Sequence, residues 1–294
     1  MAQGGFLLID KPEGPTSNAV LQEIRKSFRG MKLGHAGTLD AFASGLLIVL
    51  AGSYTRIMSY FMHQEKTYVA LVRFGEETDT LDPQGTIVAR GPLPAEQDIR
   101  MAMTALQGDI LQSPPAYSAV HINGERAYVR ALRGESVTPE ARKVTIHSIE
   151  MQSWDGTEAQ FIIRCSSGTY IRSLARDLAR IAGSRAYLKA LRRIASGPFS
   201  VEDAVAPHLA SHKTLRMMDI ATAHSLGLAT GKLDTAFLER YLHGAVLPLR
   251  AIRFVEGDAP LLSVFSDDLV FLGIMERKGS KWVHRAMLAE RRTE

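Results

Sequence analysis

One carboxylate stands in a loop otherwise made of small and turn-forming residues, Gly34-His35-Ala36-Gly37-Thr38-Leu39-Asp40. Glycines let a backbone approach a ligand closely or take positive φ. The apolar run Gly45-Leu46-Leu47-Ile48-Val49-Leu50-Ala51-Gly52 follows almost at once and reads as a buried strand. Asp40, held in a loop and backed by a rigid strand, is placed for chemistry more than for packing. The local alternative is an Asp that only bonds to its own turn.

The remaining acidic, thiol and imidazole groups do not assemble into a metal or cofactor site. Asp79 and Asp82 lack the further oxygen ligands of a calcium loop, and Asp82-Pro83-Gln84-Gly85 reads as a turn. His63, His121 and His147 stand apart. Cys165 is the single cysteine, which excludes an internal disulfide and a cysteine-rich metal site. Its neighbours Phe161, Ile162 and Ile163 mark it as a buried structural thiol. No phosphate-binding glycine loop occurs, so neither cofactor nor metal is expected.

The elements that must position Asp40 follow from periodicity and punctuation. Residues 6–10 read as a strand stopped by Lys11-Pro12-Glu13-Gly14-Pro15. Thr16 or Ser17 then caps a helix with Val20, Leu21, Ile24 and Phe28 on one face. A short helix is expected over 55–62, an alternating strand over 66–74, a turn over 76–85 and a strand over 86–89. Residues 96–106 form a helix with Ile99, Met103 and Leu106 in phase. A polar stretch from 112 to 142 holds short strands and a helix near 127–132. A strand pair covers 144–153 and 160–165. A helix over 169–182 buries Ile171, Leu174, Leu178 and Ile181, and carries Arg172, Arg176 and Arg180 along another face. Of these three arginines, Arg176 and Arg180 read as a solvated stripe. Residues 187–193 and 197–201 lead into a further short helix. The character changes after about Lys213, with a linker over 214–233, a helix over 234–243 and then short strands that suggest a small β-rich module.

A chain of 294 residues with 46% hydrophobic content can hold one large or two ordinary domains around a sizeable core. No apolar run approaches a membrane span. The N-terminus has no basic region, so a signal peptide is not expected, and the lone thiol fits a reducing cytoplasm. The net charge of +4 is mild, but basic residues gather in separate groups. These include Arg25, Lys26, Arg29 and Lys32; Arg126, Arg130, Arg133, Arg142 and Lys143; and Lys189, Arg192 and Arg193. Several such patches suit a large polyanion better than a small acidic substrate.

Taken in order, the segments resemble the TruB family of tRNA pseudouridine synthases. Gly34 to Asp40 with Ala43-Ser44-Gly45-Leu46-Leu47 is similar to the family's catalytic motif. Asp10-Lys11-Pro12 with Gly14 and Thr16-Ser17 resembles the opening motif, and Lys66-Thr67-Tyr68 the second. Phe74 to Asp82 with Gly85, Gln112 to Ala119 with Asn123-Gly124, Cys165 to Leu174, and Leu191-Arg192-Arg193 continue the match. It runs in register over roughly residues 5 to 205. The tail, with Phe271-Leu272-Gly273-Ile274, is similar to the family's RNA-binding PUA module, more weakly. One departure stands out: Ala41 replaces the proline that usually follows the catalytic Asp.

The resemblance implies an α+β fold. A mixed, mostly antiparallel sheet with flanking helices would form a catalytic domain over 1–213, with an RNA-gripping insertion at about 110–143 and a PUA-like module over 234–294. It implies isomerisation of a T-loop uridine of tRNA to pseudouridine, with no cofactor. Asp40 would be the catalytic carboxylate, either attacking C1′ of the ribose or promoting elimination across the sugar. Arg172 would keep it ionised in a dry pocket. Tyr68 would stack the flipped base, and Tyr170 and Leu191 would line the pocket. His35 would face the RNA loop, and Lys11 would support the pocket from the substrate-binding group. The basic stretch 126–143 would grip phosphates beside the cleft. Two rival readings are a tRNA-folding chaperone without essential catalysis and the catalytic subunit of a guide-RNA-dependent pseudouridylation particle. The first motif starts within ten residues and no long basic tail follows, so a stand-alone cytoplasmic monomer is expected.

Overall fold

Seven of the eight residues of strand β3 (Ser44–Ala51) are buried. A strand that is apolar on both faces needs a layer on each side. β3 lies next to β1 (Gly5–Lys11), antiparallel from Gly5 opposite Ala51 to Lys11 opposite Gly45. The short β2 (Leu33–His35) also pairs with it. Helix α1 (Ser17–Arg25), capped by Thr16, packs Val20, Leu21 and Ile24 against Leu7, Ile9, Leu47 and Val49 on one face. Phe6, Leu8, Leu46 and Ile48 fill the other face with Phe61, Phe199, Phe265 and Phe271. Phe265 and Phe271 come from the C-terminal sheet, so β3 is packed between α1 on one face and that sheet on the other.

The computed structural model describes residues 4–288 apart from 119–120, 123–124, 127–129, 131–132, 134, 136–138 and 257–259. The helix expected near 127–132 falls almost wholly outside the described residues. The large sheet adds β4 (Lys66–Phe74), β7 (Gly108–Gln112), β10 (Arg142–Trp154), β11 (Glu158–Cys165) and β12 (Ala186–Ser196) in the order β1-β3-β12-β4-β11-β10-β7, with the short β13 (Phe199–Ser200) paired to β12. Every pairing in it is antiparallel except β3 with β12, where Ser44 faces Arg192 and Gly45 faces Arg193. Helices α3 (Glu96–Leu106) and α4 (Ile171–Ile181) cover the β4, β11 and β12 face through Ile99, Ala102, Leu174 and Leu178. Between β3 and β4 the chain makes a 3-10 turn and the short α2 (Met58–Met62). Strands β5 (Glu76–Thr78) and β6 (Ile87–Arg90) form a separate hairpin, and β8 (His121–Ile122) pairs with β9 (Glu125–Arg126).

The structure differs from the sequence-based expectation at two strands. β12 is a central strand, although 187–193 read only as a lead into a helix; its Lys189 and two arginines hide it. Residues 229–233, assigned to a linker, form β14 (Ala229–Leu233) inside a second sheet. Ala-Thr-Gly carries little strand preference; its neighbours β16 (Ile252–Glu256) and β17 (Leu261–Phe265) impose it. That sheet runs β15-β19-β18-β17-β14-β16 with β15 (Leu247–Pro248), β18 (Phe271–Lys278) and β19 (Lys281–Met287). The helix expected over 234–243 is a 3-10 turn followed by a helix of five residues, Leu238–Leu242. No helix among the described residues is long and apolar enough to cross a membrane.

The junction of β3 and β12 has a strict backbone requirement. Gly45 has φ of 100°, and a Cβ there would stand 2.3 Å from the Arg193 carbonyl oxygen. Gly45→Ala is expected to lower stability by about 2–4 kcal/mol, since strain and collision add. Urea denaturation measures this, and a midpoint equal to the parent's would refute it.

Candidate active site

The Asp40 loop is held on both sides of the carboxylate. Lys11, at the end of β1, is fully buried and donates from Nζ to the carbonyls of Ala43 (2.6 Å), Pro12 (3.0 Å) and Ala41 (3.3 Å). Burial without a carboxylate in contact pushes its ammonium down to about 8. Ser17 Oγ accepts from the Leu39 N–H and donates to the Leu39 carbonyl, both at 2.8 Å. The Gly14 N–H donates to the Ala41 carbonyl at 2.8 Å. Arg193 Nη2 donates to the Gly37 carbonyl at 3.1 Å. These contacts restrain the loop where a proline would otherwise stiffen it. They leave Lys11 supporting the loop, and it is not among the residues that line the cleft.

Arg172, in the first turn of α4, is 5% exposed. Its Nε lies 3.0 Å from Asp40 Oδ2, and Nη2 donates to Asp40 Oδ1 at 3.2 Å. Nη1 donates to Asp82 Oδ2 at 3.2 Å and to the Thr80 carbonyl at 2.9 Å; Nη2 also reaches the Tyr117 carbonyl at 3.1 Å. One guanidinium therefore joins two carboxylates and two backbone oxygens. Asp82 is itself fixed by Thr80 Oγ1 (2.7 Å) and the Gln84 N–H (3.0 Å). It was read as a turn residue from sequence; it closes that turn and also orients Arg172.

Asp40, Tyr68, Tyr170, Arg172 and Leu191 open on one cleft of about 510 Å³. His35 lies on β2 outside that lining, with Nδ1 buried and no hydrogen-bond partner among the described residues. Burial and the Arg193 charge push its imidazole below the ordinary value of 6.5. Lys66, Tyr117, Arg142 and Arg193 also line the cleft and were not singled out as site residues. Arg193 was within reach of sequence reasoning, because it follows Leu191 by two positions on a strand and shares its face. Arg142 lies over the Tyr170 ring at 4.6 Å and bonds to the Gly168 carbonyl. Of the basic stretch 126–143, Arg142 lines the cleft, Lys143 pairs with Asp109 at 2.8 Å, and Arg130 and Arg133 pair with Glu135. Arg176 is not solvated as expected: it is half-buried between Asp177 and the Ser113 carbonyl.

The cleft is open, with the Asp40 side chain 39% exposed, in contrast to the expected dry pocket. Even so, the surrounding protein displaces enough water to push Asp40 above the ordinary carboxylate value of 3.8. Arg172 opposes that rise and Asp82 adds to it. Burial also raises Tyr68, with Arg193 the main opposing influence. The Tyr68 hydroxyl therefore stays protonated near neutral pH.

The fold has a counterpart of known structure. It superposes with a TM-score of 0.74 on a chain from the "Crystal Structure of a Cbf5-Nop10-Gar1 Complex", covering 98% of this chain and 86% of that one. At 24% identity that likeness concerns the fold alone. Sequence is more specific. A family model described as "TruB family pseudouridylate synthase (N terminal domain)" matches residues 25–171. The tRNA pseudouridine synthase B of Aromatoleum aromaticum is 39% identical over 284 residues, covering 94% of this chain and 89% of that protein. That of Borreliella burgdorferi strain ZS7 is 47% identical over 204 residues, covering 68% and 72%. The chain belongs to the TruB family, as its motifs led us to expect.

If the Asp40 carboxylate is the reacting group, kcat/KM falls as pH drops through the Asp40 pKa. The acid limb is expected at a midpoint above 3.8. Arg172→Gln removes the main group that lowers this pKa, so the limb moves to still higher pH. A pH–rate profile of both forms checks the order, and an acid limb that does not move would refute it.

Proposed function

We propose that this chain isomerises the T-loop uridine of tRNA to pseudouridine, with Asp40 as the reacting carboxylate. The observation that carries this reading is the two-point contact of Arg172 with Asp40 at the edge of the cleft. A guanidinium in that position keeps the carboxylate charged and aimed. The tRNA relatives and the family's motifs support the substrate.

The uridine leaves its stack at a cost of a few kcal/mol. Stacking on the Tyr68 ring returns about 1–3 kcal/mol. Leu191 and Tyr170 pack about the base, and His35 faces the RNA loop from which it came. Lys11 acts through the loop it supports. Asp40 meets C1′ as the bond to N1 breaks, the base turns, and C5 rejoins the sugar. The reaction is an isomerisation and consumes no donor.

We read the chain as a cytoplasmic monomer that works without guide RNA. The neighbour in the Cbf5-Nop10-Gar1 complex has protein partners, so the purified chain alone on unmodified tRNA is the test of this point. A chaperone role coexists with catalysis if tRNA refolding survives loss of the carboxylate.

Asp40→Asn is expected to lower product formation by at least about 10³-fold, with tRNA affinity held within about 3-fold. Full turnover by this variant would overturn the assignment. Because phosphate contacts release counterions, tRNA affinity should fall steeply from low to high salt. Filter binding across a salt series measures it, and a flat response would contradict a basic RNA-binding face.

A further inference from the structure

We propose that Arg193 is a cation built into the floor of the cleft to stabilise negative charge on the detached base. This rests on the uridine reading above and deepens it. Arg193 is 2% exposed, yet it lines the cleft. Its Nε donates to the Leu46 carbonyl at 2.7 Å and its Nη2 to the Gly37 carbonyl at 3.1 Å. Among the described residues it forms no ion pair, unlike Arg172 with its two carboxylates or Arg192 with Asp10. A buried guanidinium without a counter-charge burdens a fold and persists where an anion is due to form.

Its position identifies that anion. Arg193 stands directly opposite Tyr68 in the register of β12 with β4, and Leu191 lies two positions earlier on the same face. These three side chains share one face of β4 and β12, while Asp40 is held by Arg172 from helix α4. A base stacked on Tyr68 lies against the Arg193 wall when the ribose faces Asp40. Phosphates fit this position poorly, because the RNA strand must leave through the open side. There the half-buried Arg142 is the cation available. Lys66 adds charge on the Arg193 side, with its ammonium bonded to the carbonyls of Met62 and Gln64.

When the bond from N1 to C1′ breaks, its electron pair stays with the base and spreads over N1, O2 and O4. Arg193 is fixed before that charge appears, so it stabilises the charged state without reorganising. Asp40 bonds to C1′ in place of N1; C5 then bonds to C1′ as the Asp40 oxygen leaves with its electron pair, C5 loses its proton, and N1 gains one. Arg193 keeps its own protons throughout.

The test compares single-turnover cleavage of uridine-containing tRNA with that of tRNA carrying 5-fluorouridine, whose base is the better leaving anion. Arg193→Gln should slow uridine by about 10²–10³-fold and 5-fluorouridine by roughly tenfold or less, in the range of lost electrostatic donors. Arg193→Lys, which keeps the charge, should hold the ratio of the two rates near the parent value even if both rates fall. Equal losses on both substrates in Arg193→Gln would overturn the proposal. So would a raised ratio in Arg193→Lys, which decides the matter if the Gln variant does not fold by circular dichroism. If the parent protein makes no pseudouridine from the uridine-containing tRNA, the uridine reading itself falls, an outcome distinct from equal losses.

Discussion

A guanidinium shared between two carboxylates is the constraint on which the rest of this structure depends. Arg172 is buried, and burying a charge is costly unless it is paired and hydrogen-bonded. Asp82 supplies a buried partner behind it, and Asp40 the partner that faces the cleft. Because Asp82 and two carbonyls hold the guanidinium in place, Arg172 can hold Asp40 in one orientation. The loop is pinned independently by Lys11, Ser17 and Gly14, so that both halves of the pair are set before substrate arrives.

The same helix start also anchors the roots of the insertion. Gln112 accepts from the Tyr170 N–H at 2.7 Å, and Ser113 takes bonds from Ser173 and Arg176. Arg142 is the register partner of Gln112 and stacks on Tyr170. Both limbs of residues 112–142 therefore meet at the residue that precedes Ile171 and Arg172. The backbone proposed to grip RNA is thus tied by short bonds to the group that orients the carboxylate.

Legibility followed the range of the interactions. β3 was readable because seven of its eight residues are buried and the run is continuous; β4 was readable because its burial alternates along the strand. Five of the seven candidate residues meet in one cleft, while His35 and Lys11 lie outside its lining. Asp82 was taken for a turn residue alone, since nothing near it in sequence announces a guanidinium 90 positions away. Arg176 looked solvated because its helix face is charged, and only the packed insertion root shows what covers it. β14 was missed because its strand state comes from its neighbours.

The sequence by itself determined the family, the candidate carboxylate, most of the helices and strands, and the presence of a β-rich module at the end. Those features are written in local periodicity and in ordered motifs, which survive without knowledge of contacts. Tertiary structure alone decided which cations are neutralised. Arg192 and Arg193 are neighbours in one motif, yet the first holds Asp10 and the second is buried with no ion pair among the described residues. Charge pairing depends on distances of a few ångströms between segments far apart in sequence, and no local pattern encodes it.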